Sequence, residues 1–329
     1  MALADISPPL DGTDDVPDLT VAGRGSTSDS LFKWLALLSG LTVLLVLALI
    51  AFVTTVRAWP AFSQLGASYF FGTQWIPSQG KYGIVPLVFG TVLVSVLAIL
   101  VAVPLSVGIA LFVTELAHRR VRSSVVTVID LLAAVPSVVF GLWGFYQLLP
   151  KFQSFFGSIH DAVAGIPVLG TVLGPTTGSS YMSAALILSL MITPIITSVT
   201  REVFTTVPDN DKAGALALGA TRWEMIRGVV LPHSTGGLTG AVMLGLGRAM
   251  GETVAVALLI GARPNITANI FGVGETMPAQ IFRNLSEADD LFRAALIGLG
   301  VCLFVLTILI NMSARKVVVA IDRRTQGAA

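Results

Sequence analysis

Residues 214–251 read GALALGATRWEMIRGVVLPHSTGGLTGAVMLGLGRAMG. The first part is polar and compatible with short helices that a Gly-Ala-Thr turn interrupts, and the second part is an apolar, glycine-rich helix. Arg248 lies inside that apolar helix and Glu252 follows four residues later, where a membrane span should carry no charge. We interpret the first part as a docking element for a cytoplasmic motor protein and the second as part of a pathway for a charged solute.

The composition of the whole chain indicates an all-α membrane protein. Apolar residues make up 54% of the 329 residues and charged residues 12%, whereas a soluble domain carries about 25% charged residues. A helix that crosses the hydrocarbon core needs about 20 apolar residues, and backbone groups in lipid must be satisfied within the segment. We therefore predict six transmembrane helices, near residues 34–56, 84–114, 125–149, 181–200, 233–262 and 294–312.

The distribution of lysine and arginine predicts the orientation of these spans. With six spans, thirteen basic residues fall near one membrane side and six near the other. The excess is expected in the cytoplasm, which places both termini and the segment 201–232 there. Residues 1–30 are polar and acidic, and we expect a disordered cytoplasmic tail; residues 31–315 form the six-span domain and 316–329 a second cytoplasmic tail.

Several chemical functions are not supported by the residues present. Cys302 is the one cysteine, and the three histidines show no metal-ligand spacing, so we expect no metal and no cofactor. No Ser–His, paired Asp or HExxH arrangement lies within the spans, so an enzyme is not expected. The chain also lacks a G-x-x-x-x-G-K-[ST] phosphate loop, so any ATP hydrolysis belongs to a separate chain.

The segment 203–232 is predicted to form two short helices on the cytoplasmic side. Pro208 and Asp209 suit the start of the first helix, and a second helix is expected from Trp223 to Leu231, ending at Pro232. The sequence resembles the coupling-helix motif of binding-protein-dependent ABC importer permeases, which docks on the nucleotide-binding subunit. The resemblance implies ATPase-coupling residues at Ala213, Gly214, Ala215, Gly219, Ala220, Thr221, Leu231 and Pro232.

The motif differs from the family pattern at one position. Ala213 replaces the acidic residue that usually opens it, and Asp211 and Lys212 are neighbours that could substitute. An amphipathic loop resting on the membrane surface is the alternative interpretation of this segment.

Two interpretations remain open for Arg248 and Glu252. They could form a structural ion pair on one helical face, or they could line the pathway and meet an anionic solute. Arginine suits an oxyanion because its guanidinium donates several hydrogen bonds in a fixed plane. A carboxylate can accept hydrogen bonds from the P–OH groups of phosphate, whereas sulfate at neutral pH offers no donor, so the pair fits phosphate better.

The glycines of this span are expected to serve close helix packing: Gly236, Gly237, Gly240, Gly245, Gly247 and Gly251.

Three further stretches narrow the resemblance from importer permeases in general to one branch of that family. These are YGIVPLVFGT at 82–91, AAVPSVVFGLWG at 133–144 and GLGRAMGET at 245–253. Together they resemble the PstC-type permeases of phosphate-specific ABC transporters, over residues 31–315. The resemblance implies a type I ABC importer permease fold in a bacterial inner membrane, and Arg248 and Glu252 as the transport-relevant charges.

The same resemblance implies the partners and the solute. These are a second, PstA-type permease, a PstB-type cytoplasmic ATPase dimer, a PstS-type extracytoplasmic binding protein and inorganic phosphate. The expected function is the permease subunit of a phosphate importer, forming half of the pathway. The alternatives are a permease for another oxyanion (sulfate or molybdate), or a membrane subunit that senses phosphate or acts as a scaffold.

Overall fold

The computed structural model describes residues 27–326, so the predicted tail at 1–30 lies outside the described residues as far as residue 26. Within this range the chain is almost entirely helical. The helices are α1 (Thr27–Leu65), α2 (Ala67–Phe71), α3 (Val85–Leu111), α4 (Arg119–Ala134), α5 (Ser137–Trp143), α6 (Leu149–Val163), α7 (Pro167–Val172), α8 (Tyr181–Thr205), α9 (Asp209–Ala217), α10 (Arg222–Met225), α11 (Leu231–His233), α12 (Thr235–Gly251), α13 (Val254–Leu259), α14 (Met277–Asn284) and α15 (Asp290–Gln326). A short antiparallel hairpin pairs β1 (Trp75–Ile76) with β2 (Lys81–Tyr82).

Four helices between residues 27 and 326 are long and apolar enough to cross a membrane unaided. They cover Ser30–Leu65, Val85–Leu116, Tyr181–Thr205 and Asp290–Ser313. Two further spans exist if each of two bent helix pairs counts as one: Arg120–Ala134 with Ser137–Val163, and Arg222–His233 with Thr235–Gly251. The predicted number of six agrees with the structure on that count.

The third predicted span is sharply bent. Its two halves meet at an angle of 91°. Pro136 lies at the break, and Val135 and Pro136 are both extended, with ψ of 127° and 142°. The residue before a proline is disfavoured in the α region, so the helix ends there and a new one starts at Ser137.

The fifth predicted span is also discontinuous. The chain bends by 71° between the helical segment Arg222–His233 and α12. α12 then ends at Gly251, and Glu252 has an extended backbone with ψ of 129°. The remainder of the span is the short helix α13.

Helix α8 lies at the centre of the packed part of the chain. Its most apolar window is 67% buried, against 28% for α3 and 22% for α15. Small side chains on α3, such as Ala98 and Ala102, are fully buried in the same cluster as Ile192 and Ile196 of α8. Gly245 of α12 faces Ile196 so closely that an added Cβ would lie 2.6 Å from its Cδ1 atom. Small residues therefore permit close packing of these three helices.

The described residues divide into two units, with residues 27–53 in the first and residues 54–326 in the second. The described part of the first unit is the N-terminal portion of α1. Its large apolar side chains are exposed, including Leu44 at 65% and Leu45 at 68%.

Candidate functional site

A cavity of about 810 Å³ is lined by residues of three helices that are far apart in sequence. Its lining residues are Ile195 from α8, Gly236, Thr239, Gly240, Met243, Leu244, Gly247 and Arg248 from α12, and Asn311 and Arg315 from α15. The charged groups of this lining are two guanidinium groups, and no carboxylate is among them. The cavity is therefore suited to an anion.

Arg248 lies on the exposed face of α12. It belongs to an i, i+4 row with Gly236, Gly240 and Leu244 that is exposed along the helix. Among the described side chains, Arg248 has no carboxylate partner within 4.0 Å. Its guanidinium donors are thus available to a ligand in the cavity.

Glu252 does not share a helical face with Arg248, contrary to the expectation from their spacing. The reason is that α12 ends at Gly251 and Glu252 already has an extended backbone. Among the described residues the two side chains form no ion pair with each other, so the structural-pair interpretation is not realised here. Glu252 is partly buried and is not among the residues that line the cavity.

Five of the six glycines of α12 fall into two groups. An added Cβ at Gly237 would lie 2.5 Å from Val203 Cγ2, and one at Gly245 would lie 2.6 Å from Ile196 Cδ1, which confirms the packing prediction for these two. Gly240, Gly247 and Gly251 have no atom within 4 Å of an added Cβ. These three keep one side of α12 narrow instead of serving contacts within this chain.

The docking segment, residues 203–232, has the predicted helix–turn–helix form at its start. Pro208 precedes α9, and Gly219 adopts φ of +87°, a left-handed conformation that favours glycine. Thr221 then caps the next helix: its hydroxyl accepts from the Glu224 backbone N–H at 3.3 Å, and the Glu224 carboxylate accepts from Thr221 N–H at 2.7 Å. This reciprocal capping box fixes the turn between the two helices.

The second helix of the docking segment is less regular than predicted. After α10 the chain makes a turn of π-helix over Ile226–Val230, and α11 then continues through Pro232 to His233. The predicted end at Pro232 is therefore wrong by one residue. Proline lies near the start of α11, where its missing N–H costs little.

The exposed surface of the docking segment combines predicted and unpredicted residues. Of the eight residues implied by the motif, Ala213, Gly214, Gly219, Thr221 and Pro232 are exposed, and Ala215, Ala220 and Leu231 are partly buried. Sequence reasoning did not single out Leu218 and Trp223, which are 92% and 62% exposed on either side of the turn. Two bulky apolar side chains flanking a glycine turn in a polar segment were the available signal.

Lys212 is not free on this surface. Its Nζ atom lies 2.7 Å from Glu115 Oε1 at the end of the second span. Lys212 therefore makes an ion pair within the chain and does not replace the missing acidic residue of the motif.

Comparisons with known proteins agree with this architecture. The family model described as "Binding-protein-dependent transport system inner membrane component" matches residues 102–327. The phosphate transport system permease protein PstC of Mesorhizobium japonicum is 40% identical over 311 residues, which cover 94% of this chain and 95% of the relative. The protein of the same name from Xylella fastidiosa is 38% identical over 308 residues, covering 92% and 94%.

A solved structure shows the fold. A bacterial alginate ABC transporter, in complex with an alginate pentasaccharide-bound periplasmic protein, contains a chain that matches with a TM-score of 0.58 at 17% identity, over 90% of this chain and 97% of that chain. The predicted all-helical type I ABC importer permease fold is thereby confirmed, and the protein is a multi-pass membrane protein. The chain belongs to the family of binding-protein-dependent transport system inner membrane components, on the branch of the PstC permeases.

Proposed function

We propose that this chain is the transmembrane permease subunit of an ATP-driven importer of inorganic phosphate and forms half of its translocation pathway. The observation that carries the proposal is the identity of 40% with a phosphate transport permease over nearly the whole of both chains. The same relationship favours phosphate over sulfate or molybdate. The cavity lined by Arg248 and Arg315 supports transport of an anion by this fold.

Arg248 is proposed to receive the phosphate ion. Charge-assisted hydrogen bonds from a guanidinium are stronger than neutral ones, and its planar fork matches two oxygens of a tetrahedral anion. Glu252 lies just beyond the end of the same helix. We propose that its carboxylate accepts a hydrogen bond from a P–OH group, which sulfate at neutral pH cannot donate. An acceptor left without a donor is penalised, so the two side chains together favour phosphate.

The docking segment is proposed to bind a cytoplasmic ATPase dimer of the PstB type. The five exposed motif residues, together with Leu218 and Trp223, form a projection that suits a groove in a partner. A PstA-type permease would supply the other half of the pathway, and a PstS-type binding protein would deliver phosphate from outside. This arrangement requires both termini and the docking segment in the cytoplasm, as the distribution of basic residues predicts.

The test is ATP-dependent uptake of labelled phosphate into proteoliposomes that contain the complete transporter and its binding protein. We expect uptake that excess sulfate does not reduce, and we expect Arg248→Gln to abolish it in a complex that still assembles. Arg57→Gln is the matched control, because Arg57 is exposed and is not among the cavity residues. Competition by sulfate would contradict the assignment of phosphate, and normal uptake by Arg248→Gln would remove Arg248 from the pathway.

A further inference from the structure

A short ion pair joins the docking segment to the second span. Lys212 Nζ on α9 lies 2.7 Å from Glu115 Oε1, and the two residues are 97 positions apart in sequence. Both side chains are largely buried, with 16% and 8% of their surface exposed. Between described side chains there are two other ion pairs. Arg201–Glu202 joins neighbouring residues, and Arg283–Glu275 lies outside the docking segment.

The backbone presents Glu115 from a fixed position. Helix α3 continues into a turn of π-helix over Phe112–Leu116, which ends where Ala117 N–H donates to the Phe112 carbonyl at 2.7 Å. The adjacent Thr114 hydroxyl donates to the Ala110 carbonyl at 3.0 Å. Turns of π-helix occur frequently at functional sites. The carboxylate is therefore held by a closed backbone turn and not by a mobile loop.

An apolar cluster connects the same elements beside the ion pair. It contains the buried side chains of Ala110, Phe204, Val207, Met225, Ile226 and Val230. Ala215, one helical turn after Lys212, packs against it. The cluster supplies non-directional packing, whereas the ion pair supplies a directional contact of defined length. A displacement of α9 would accordingly pull on Glu115.

Helix α3 extends from this end of the second span to its other end. It runs for 27 residues from Val85 to Leu111, about 40 Å at 1.5 Å per residue. At its other end Thr91 Oγ1 accepts a hydrogen bond from the Met277 N–H at 3.0 Å. Contacts near both ends of one continuous helix give a physical route between the docking segment and the far side of the protein.

We infer that Lys212 and Glu115 form the link through which movement of the docking segment displaces the second span, so that ATP hydrolysis is coupled to phosphate transport. The two are positioning residues, since neither lies in the cavity that contains Arg248. The inference rests on the proposed function, because it requires the docking segment to bind the ATPase. It also gives Lys212 a role inside this subunit instead of at the ATPase surface.

The experiment compares coupling in complete reconstituted transporters that carry Glu115→Gln, Lys212→Met, or the exchange Glu115→Lys with Lys212→Glu. ATP hydrolysis and phosphate uptake are measured in the same proteoliposomes, with and without binding protein. We expect each single variant to lower the phosphate carried per ATP hydrolysed about tenfold, and the exchange to restore most of it, as expected for two groups that interact directly. Glu202→Gln is the matched control, because it breaks the exposed pair with Arg201, and its ratio should equal that of the unmodified chain.

Each outcome decides for or against the link. An unchanged ratio of transport to hydrolysis in both single variants would overturn it. Loss of ATPase binding in the single variants would show that the pair merely shapes the docking surface, and would overturn it too. If the single variants yield little folded protein, the exchange decides: a well-folded exchange variant that stays uncoupled refutes the link. Failure of the proposed function is distinguishable, since the unmodified transporter would then carry no phosphate.

Discussion

Glu275 places a carboxyl group where solvent does not reach it. The side chain is 0% exposed, and Arg283 Nε lies 3.4 Å from Oε2, while Thr276 N–H donates to Oε1 at 3.1 Å. Arg283 also donates through Nη2 to the carbonyl of Ala257. The pair thereby ties the loop before α14 to the end of α13. Burial raises the pKa of Glu275 to about 7, against the lowering effect of Arg283.

This carboxyl group makes stability depend on pH. Since the pKa of Glu275 is higher in the folded state than its ordinary value of 4.5, the folded state binds more protons between these two values. The free energy of unfolding therefore falls as pH rises through this window, by at most about 1.4 kcal/mol per pH unit. Thermal unfolding of the purified protein in detergent from pH 4.5 to 7.5 measures the slope. Glu275→Gln should remove this contribution, and an identical slope in that variant would show that another group is responsible.

The sequence alone marks Arg248 as unusual, but it does not mark Glu275. Arg248 stands out because it interrupts an apolar, glycine-rich run, so its position is unusual by composition alone. Glu275 and Arg283 lie in a connecting segment where charges are ordinary. The chain at Gly274 and Glu275 lies against Gly90 of α3 and Tyr181 of α8, and no local sequence pattern reports this contact between distant residues.

At the scale of elements, the packing of α3 requires a glycine at the point where the chain before α14 crosses this helix. A methyl group on Gly90 would overlap the backbone carbonyl oxygen of Glu275, whereas one on Gly108 of the same helix meets nothing within 4 Å. Backbone atoms cannot move aside as a flexible side chain can. The approach of the two backbones at Gly90 is thus set by the absence of a side chain.

Two alanine variants test this asymmetry within one helix. Gly90→Ala is expected to cost at least about 1–3 kcal/mol, because extra volume in a packed site forces the backbone to shift. Gly108→Ala is expected to be neutral or to stabilise by up to about 1 kcal/mol through helix propensity. Thermal unfolding of both variants in the same detergent gives the comparison. Equal effects of the two substitutions would contradict the close approach at Gly90.

The helices themselves were largely predictable, but their continuity was not. Pro104, Pro136 and Pro194 are equal candidates for kinks in the sequence, yet Pro104 and Pro194 lie inside the unbroken helices α3 and α8. Neighbouring helices can satisfy the carbonyl groups that a proline frees in a membrane span. Only the packing around each proline decides whether the helix continues, as at Pro194, or ends, as at Pro136.

At the scale of the whole molecule, the cavity brings together residues that are separated by long stretches of chain. Ile195, Arg248 and Arg315 come from three helices. Arg315 follows the last predicted span, and the ordinary interpretation of an arginine there is a basic residue at the cytoplasmic face of the membrane. In the folded chain it shares a cavity with Arg248.

Arg315 is expected to contribute to phosphate passage, and its neighbour provides the control. Arg315→Gln removes a charge-assisted interaction of about 1.5–3 kcal/mol, which corresponds to about a tenfold or larger loss of uptake at low phosphate concentration. Lys316→Gln removes a charge at the adjacent position, which is exposed and does not line the cavity. Initial uptake rates into proteoliposomes measure both. Equal losses would show that only the overall charge of this helix end matters.

The sequence by itself determined the class of protein, the approximate number of spans, the short helices and glycine turn within residues 203–232, and the unusual position of Arg248. These features depend on composition, hydrophobic run length and turn residues, which act over a few neighbouring residues. The tertiary structure alone decided that Arg315 joins Arg248 and that Lys212 reaches Glu115. It also showed the chain leaving the helix before Glu252. The two pairings depend on how separate helices pack, and the energy of that packing is shared among residues that no local pattern connects.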